Sequence, residues 1–155
     1  MIRVQEGDFD VGAELGKLAS GNHQVGGVAS FVGLVRDIAP KGSGAESSMT
    51  LEHYPGMTEK RLAEIEAEAH RRWPLAATII IHRYGRLEPG DRIVLVGTAS
   101  SHREAALESC AFLIDWLKTE APFWKLEDGP EGARWVEARA SDDARKAAWK
   151  KNNPA

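Results

Sequence analysis

Apolar side chains recur every three or four residues in three segments of the chain, which is the spacing of one helix face. The segments run from about residue 10 to 20, from Thr58 to Pro74 and from about His102 to Lys118. In the third segment, one face collects Leu107, Cys110, Ile114 and Leu117. The pattern predicts three amphipathic helices, and Pro122 ends the last of them.

Runs rich in apolar and β-branched residues lie between these segments and predict strands. The runs are about Val25 to Val35, "MTLEHY", Ala77 to Tyr84, Arg92 to Ala99, "PFWKLED" and "ARWVEAR". The first is expected in a mostly buried position, because it shows little alternation of polar and apolar residues. A Pro-Gly-Asp turn joins the third and fourth runs as a hairpin, and "GPEG" joins the last two as a second hairpin.

The predicted element order, α-β-β-α-β-β-α-β-β, is typical of the α+β class. We expect a mainly antiparallel sheet, three helices and an additional C-terminal β-hairpin. The 155 residues predict a single domain over 1–155, with a mobile loop at about 37–48 and a polar tail at about 146–155. No glycine-rich phosphate-binding motif follows a predicted strand, which argues against a nucleotide-binding fold.

Composition narrows the classes of function. A formal net charge of −3 argues against nucleic-acid binding as the main activity. No segment has the apolar length of a signal peptide core or a membrane span, so we expect a cytoplasmic location. One cysteine and five scattered histidines form no zinc-ligand pattern, and we expect neither metal nor cofactor. Cys110 is expected in the core rather than as a nucleophile, and His53 and His82 as packed or hydrogen-bonded residues at the core edge.

The stretch "LKTEAPFWK" carries the strongest chemical signal, because it sets Lys118 and Lys125 seven residues apart around a proline and two aromatic residues. A lysine forced close to apolar surface loses part of its preference for the charged form, and it can serve as an acid, a base or a nucleophile. The ordinary alternative is a lysine at a helix end whose stem lies along an aromatic ring. Spacing alone leaves both alternatives open.

A second candidate is the pair His102 and Arg103 at the predicted start of the third helix. Free backbone N–H groups, the helix dipole and a guanidinium together suit a phosphate, although Arg103 would equally pair with a surface carboxylate. A helix of this length separates His102 from Lys118 by about 24 Å. We therefore consider a symmetric dimer, in which the start of one helix lies near the end of its partner's.

Four stretches together resemble the large, catalytic subunit of molybdopterin synthase. They are "LEHYPGMTEKRLAEIEAEAHRRWP", "IHRYGRLEPGD", "SSHREAALESCAFLIDWLKTEAPFWK" and "RWVEAR", within a match from about Gly26 to Arg139. The resemblance implies an α/β-hammerhead-like fold and a sulfur transfer that converts cyclic pyranopterin monophosphate into the dithiolene of molybdopterin. It also implies that the sulfur arrives as a thiocarboxylate on the C-terminal glycine of a small ubiquitin-like subunit, within a heterotetramer built on a homodimer.

Carried over residue by residue, the resemblance assigns catalytic roles to Lys118 and Lys125. Lys125 is implied to act as acid and base or by transient covalent attachment, and Lys118 to stabilise negative charge and contact the incoming tail. The resemblance assigns substrate binding to Arg36, His102, Arg103 and Arg139, and pocket lining to Phe31 and Ile114. Ordinary core packing remains the alternative for the two apolar residues. Glu120 departs from the family pattern, since several relatives carry a basic residue at this position.

Two rival functions remain at this stage. One is a lyase that forms a Schiff base through Lys125. The other is a docking module without catalytic activity, in which apolar surface around Phe123 and Trp124 receives the tail of a ubiquitin-like protein. Basic residues at five separate sites favour the enzyme.

Overall fold

The structure, a computed structural model, describes residues 1–136 and 140–151. Its elements are β1 (Ile2–Gln5), α1 (Val11–Ala19), β2 (Gly27–Leu34), β3 (Ser48–His53), α2 (Met57–Arg72), β4 (Leu75–Arg83), β5 (Gly85–Leu87), β6 (Arg92–Ser100), α3 (Arg103–Glu120), β7 (Phe123–Gly129), β8 (Gly132–Val136) and α4 (Ala140–Lys151). Arg139, which the resemblance assigns to substrate binding, lies outside the described residues. So do residues 152–155 at the end of the predicted tail.

The strands form two four-stranded sheets, with the orders β1-β4-β6-β2 and β5-β3-β7-β8. Every neighbouring pair is antiparallel except β1 with β4, so the prediction of an α+β fold with mainly antiparallel strands is confirmed. The prediction of three helices is wrong, because α4 adds a fourth. The indole of Trp149 in α4 donates a hydrogen bond to Asp115 of α3 at 2.8 Å. This polar segment is helical because α3 offers it a partner surface.

The first sheet is covered on both faces, which explains the continuous apolar runs of its two central strands. Along β4, Ile80 packs with α2 and α3, while Ile79 and Ile81 pack with α1 on the opposite face. In β6, Val96 and Leu95 divide between the two faces in the same way. β4 and β6 are antiparallel neighbours, as the first predicted hairpin requires, but β5 leaves this sheet to pair with β3 in the second.

β2 is an edge strand, and the prediction that it is mostly buried is wrong. It pairs only with β6, and its side chains are largely accessible except for Ala29. Phe31 is 39% exposed. Apolar composition predicted burial here, but a strand at the edge of a sheet that leaves its outer side open exposes such residues.

The two sheets meet at a small apolar cluster. Val35, just after β2, packs with Met49 and Leu51 of β3 and with Leu87 of β5. The second hairpin, β7 with β8, extends the second sheet from β3, and this prediction is confirmed. None of the helices in the described ranges combines the length and the apolar character that crossing a bilayer requires.

Candidate active site

Lys118 lies in the last turn of α3, where its side chain is exposed. α3 follows β6 after two residues and packs on both β6 and β2, so it runs back antiparallel to β6 and along β2. A Cβ on Gly26 would lie 2.1 Å from the carbonyl oxygen of Ser101, which shows that the starts of β2 and α3 are in contact. Their C-terminal ends therefore lie on the same side of the molecule. Arg36 follows β2 by two residues, so it lies at the same end of the molecule as Lys118.

Lys125 lies in β7, directly opposite Leu51 of β3. Successive side chains of a strand point to opposite faces, so Phe123 and Lys125 share one face and Trp124 occupies the other. Phe123 stacks on the buried ring of His82, with ring centroids 3.7 Å apart. The chain thus places an ammonium beside an aromatic ring on the inner face of the second sheet, where Lys125 is half-buried. Trp124 is 39% exposed on the outer face.

The segment between the two lysines is held by a buried hydroxyl. Thr58 of α2 has no exposed surface, and its Oγ1 donates a hydrogen bond to the carbonyl oxygen of Pro122 at 3.2 Å. Thr58 Oγ1 also accepts a hydrogen bond from the backbone N–H of Tyr54 at 3.1 Å. Thr58 therefore links the start of α2 to the start of β7. Sequence reasoning missed this residue, because the contact spans 64 positions and no local pattern signals it.

Arg36 is exposed, and the residues on either side of it are anchored. Val35 is 5% exposed in the cluster that includes Leu51, the residue opposite Lys125. Asp37 accepts a hydrogen bond from the Ser47 hydroxyl at 2.8 Å, and this bond lowers the pKa of Asp37. The backbone that carries Arg36 is therefore fixed close to the strand pair that carries Lys125.

His102 and Arg103 lie at the opposite end of α3, and both are exposed. Sixteen residues separate His102 from Lys118, a rise of about 24 Å along a helix. Within one chain Arg36 and Lys118 therefore lie toward the same end of the first layer, and the His-Arg pair lies toward the opposite end. Ile114 is half-buried against the main core cluster, as its packing alternative predicts. The exposure of Phe31 is inconsistent with the same alternative for that residue.

Glu120, the departure from the family pattern, is paired on two sides. It forms ion pairs with Arg61 of α2 and with Lys146 of α4. Burial lowers the pKa of Lys146. The two cations offset the negative charge that Glu120 introduces near Lys118.

Cys110 is 6% exposed, and burial raises the pKa of its thiol to about 11. A thiol that stays protonated at neutral pH is a poor nucleophile, so the prediction of core packing is confirmed.

His82 is 4% exposed, and burial lowers the pKa of its imidazole to about 4, with the nearby charge of Lys125 contributing in the same direction. Within residues 1–136 and 140–151, no group of His, Cys, Asp and Glu side chains is arranged to hold a metal ion.

Asp8, Val11 and Arg92 line two shallow concavities, and the second also includes Val32 and Leu34 of β2. Neither contains a predicted site residue. Asp8 and Arg92 already satisfy each other as an ion pair, with 2.5 Å between carboxylate oxygen and guanidinium nitrogen. These concavities therefore lack the convergent, unsatisfied polar groups of a catalytic pocket.

Comparisons with known proteins agree with this geometry. The family model of the MoaE protein matches residues 4–120. The molybdopterin synthase catalytic subunit of Ralstonia nicotianae is 57% identical over 148 residues, which cover 96% of this chain and 83% of that protein. A molybdopterin biosynthesis MoaE protein from Burkholderia ambifaria superposes with a TM-score of 0.82 at 53% identity, covering 97% of each chain.

A more distant structure shares the fold alone. It is a complex of subunits 1 and 2 of molybdopterin-converting factor from Helicobacter pylori, with a TM-score of 0.71 at 20% identity, covering 89% of this chain and 91% of that one. The family match includes the strand exit with Arg36, the whole of α3 and Lys118, and the similarity to the Ralstonia subunit extends over nearly all of the chain. The chain therefore belongs to the MoaE protein family.

Proposed function

We propose that this chain transfers sulfur from the C-terminal thiocarboxylate of a small ubiquitin-like subunit to cyclic pyranopterin monophosphate. The product is the dithiolene of molybdopterin, formed in molybdenum cofactor biosynthesis. As a member of the MoaE family, the chain is the catalytic subunit of a molybdopterin synthase. The observation that carries the assignment is the family match together with the position of Lys125, half-buried on the inner face of β7.

The chemistry requires an anionic sulfur donor, an anionic substrate and a proton source. The thiocarboxylate sulfur forms a bond to a substrate carbon as that carbon's bond to oxygen breaks, and the oxygen leaves as water after protonation or stays on the phosphate. Water then cleaves the acyl–sulfur bond and leaves a glycine carboxylate. A dithiolene holds two sulfurs, so two thiocarboxylates are consumed for each product. In this scheme Lys125 acts at the reacting carbons as acid and base or by transient covalent attachment. Lys118 stabilises the negative charge and contacts the incoming tail.

In this proposal, cationic side chains other than the two lysines bind the substrate. We assign the phosphate and the pterin to Arg36, His102, Arg103 and Arg139, with Phe31 and Ile114 lining the pocket. The exposure of Phe31 on an edge strand supports a binding role over a core role. No cofactor or metal is needed in this scheme, because the thiocarboxylate supplies the sulfur. We propose that the reaction takes place in the cytoplasm.

A homodimer completes the proposed site. The roughly 24 Å of α3 between His102 and Lys118 is too long for both to contact one small ligand within a chain. A two-fold axis that sets the start of one α3 beside the end of its partner's removes this problem. The small subunit adds its tail on each side, which gives a heterotetramer. The Helicobacter pylori structure, which shares the fold, is itself a complex of subunits 1 and 2.

Reconstitution tests the proposed function directly. The purified chain is mixed with a thiocarboxylated small subunit and cyclic pyranopterin monophosphate, and dithiolene product is followed by its fluorescence after oxidation. The proposal predicts product at two thiocarboxylates per pterin, and none when the small subunit ends in a carboxylate. A docking module would bind the small subunit and leave the pterin unchanged, which would overturn the proposal.

The Schiff-base lyase makes a different prediction. Borohydride would trap a carbonyl substrate on Lys125 as a stable secondary amine, and cleavage would proceed without the small subunit. Reaction that proceeds in the absence of any thiocarboxylate would favour this rival over sulfur transfer.

A further inference from the structure

His82 is a buried ionisable residue that the proposed chemistry does not use. It lies in β4 on the same face as Ile80, and 4% of its surface is exposed. Its Nδ1 lies 2.8 Å from the carbonyl oxygen of Arg83. A carbonyl only accepts, so Nδ1 carries the proton in this bond.

The imidazole of His82 also contacts β7, the strand that carries Lys125. His82 and Phe123 stack at 3.7 Å between centroids with planes 18° apart, which is the closest and most parallel ring pair among the described residues. Phe123 precedes Lys125 by two positions and shares its face of β7. The charge of Lys125 adds to the effect of burial in lowering the pKa of His82, in agreement with this shared face.

Other contacts hold the same segment, but they do so through the backbone or at longer range. Thr58 holds the carbonyl of Pro122, and His53 lies 6.4 Å from Phe123 between ring centroids. The stack with His82 joins a side chain of β7 to the first sheet at this point. Its loss would leave Phe123 free to change its packing and would let the start of β7 shift.

We propose that His82 is a positioning residue for Lys125: its ring, stacked on Phe123, fixes the height of β7 over the first sheet and thereby the position of the lysine. This inference rests on the proposed function, in which Lys125 acts at the reacting carbons. A displacement of about 1 Å at a reacting group can lower a rate by up to roughly a hundredfold. The role belongs to the ring and not to its nitrogen atoms.

Four single variants and one double variant test this role. His82→Leu removes the ring at similar volume, and His82→Phe keeps a ring without nitrogen. Phe123→Leu removes the stack from the side of β7, and the fourth variant is Ile80→Val. Ile80 is fully buried on the same face of β4 two positions earlier, so its variant is a control for ordinary core loss. Single-turnover rates of dithiolene formation, KM for the pterin and unfolding midpoints are measured for each.

We expect His82→Leu and Phe123→Leu each to lower the rate about ten- to a hundredfold with KM changed less than about twofold. The double variant His82→Leu/Phe123→Leu should be no slower than the slower single variant, since both remove one contact. His82→Phe and Ile80→Val should keep rates within about threefold of the unmodified chain. If His82→Leu does not fold, Phe123→Leu and His82→Phe carry the same comparison.

Three results would overturn the inference. They are a normal rate for His82→Leu or Phe123→Leu, a loss in His82→Phe as large as in His82→Leu, and a double variant whose loss is the product of the single losses. The inference and the proposed function fail separately. An unmodified chain that forms no dithiolene contradicts the proposed function, whereas an active unmodified chain and an inactive Lys125→Ala variant beside an active His82→Leu variant contradict the positioning role alone.

Discussion

At the scale of single residues, burial decides which ionisable groups can take part in chemistry. The Cys110 thiol is surrounded by the core, and its pKa is raised to about 11. Lys125 is half-buried beside the Phe123 ring, while Lys118 is exposed at the end of α3. A sulfur transferase whose one cysteine stays protonated must receive its sulfur from another molecule. The positions of these three residues agree with delivery by a partner's thiocarboxylate.

Replacing Cys110 with Ala tests this conclusion. We expect sulfur transfer within about twofold of the unmodified rate, because the thiol is not ionised at neutral pH. The free energy of unfolding should fall by about 1 kcal/mol, since a small buried side chain is shortened. Urea unfolding and the dithiolene assay measure the two effects. Loss of transfer in a folded variant supplied with thiocarboxylate would make Cys110 a sulfur carrier.

His82 makes a prediction about acid stability that is independent of catalysis. Burial lowers its folded-state pKa to about 4, against 6.5 in an unfolded chain. The unfolded state therefore binds a proton first, so the contribution to stability is present above pH 6.5 and is lost as the pH falls toward 4. The loss is on the order of 3 kcal/mol.

The variant His82→Phe should show a flatter dependence of unfolding free energy on pH over this window. Both proteins share the other four histidines, so the difference isolates His82. Urea unfolding at a series of pH values between 4 and 6.5 measures it. Equal slopes in the two proteins would show that His82 is accessible to protons in the folded state.

At the scale of elements, α4 is the clearest case of structure decided by distant contacts. Asp115 of α3 accepts hydrogen bonds from Arg145 at 3.0 Å and from Trp149 at 2.8 Å. The Trp149 ring packs edge-on against Trp73 and Phe112, with centroids 5.7 Å away in each case. α4 is therefore attached to α3 through Asp115 and the Lys146–Glu120 ion pair. It is attached to the end of α2 through Trp149, whose carbonyl oxygen accepts a hydrogen bond from Arg72.

Trp149→Ala should destabilise the chain by about 2 to 4 kcal/mol, because it removes both the ring contacts and the bond to Asp115. Trp135→Ala is the matched control, since Trp135 is 57% exposed on β8. The control should cost less than about 0.5 kcal/mol. Urea unfolding compares the two. Equal losses would show that α4 is not docked as described.

The sequence predicted the long elements well and the short ones poorly. The pattern is strong in the long elements. In α2 and α3 apolar residues repeat at the helical spacing over several turns, and β4 and β6 are long apolar runs. β1 has four residues and β5 has three, too few for a period to appear, and each is a strand only because a distant strand pairs with it. The same reason applies to α4, whose polar sequence does not reveal its partner surface. The likeness to an α/β-hammerhead stays a prediction.

At the scale of the whole molecule, the resemblance identified the candidate lysines and the family, but it did not reveal how the fold supports them. Thr58 and His82 contact the segment around Lys125 from α2 and β4, and no local spacing signals such contacts. The separation of His102 from Lys118 followed from the helix length, but the position of Arg36 at the Lys118 end of α3 required the layer arrangement. A site divided in this way predicts cooperation between two copies of the chain.

Mixed dimers test that cooperation. Lys125→Ala and Arg103→Ala chains, each expected to be inactive alone, are produced together with different affinity tags and isolated as the mixed species. One of the two sites in each mixed dimer then holds both intact residues, so about half of the unmodified activity is expected. An inactive mixed dimer, in which each chain carries one defect, would place the whole site within a single chain.

The most direct test of the central claim is a single-turnover assay of Lys125→Ala beside Lys60→Ala, an exposed lysine of α2 without an assigned role. Both variants are given thiocarboxylated small subunit and cyclic pyranopterin monophosphate, and binding of the small subunit is measured in parallel. We expect Lys60→Ala to form dithiolene at the unmodified rate, and Lys125→Ala to bind the small subunit but form none. Dithiolene formed by Lys125→Ala at the rate of the control would contradict the account.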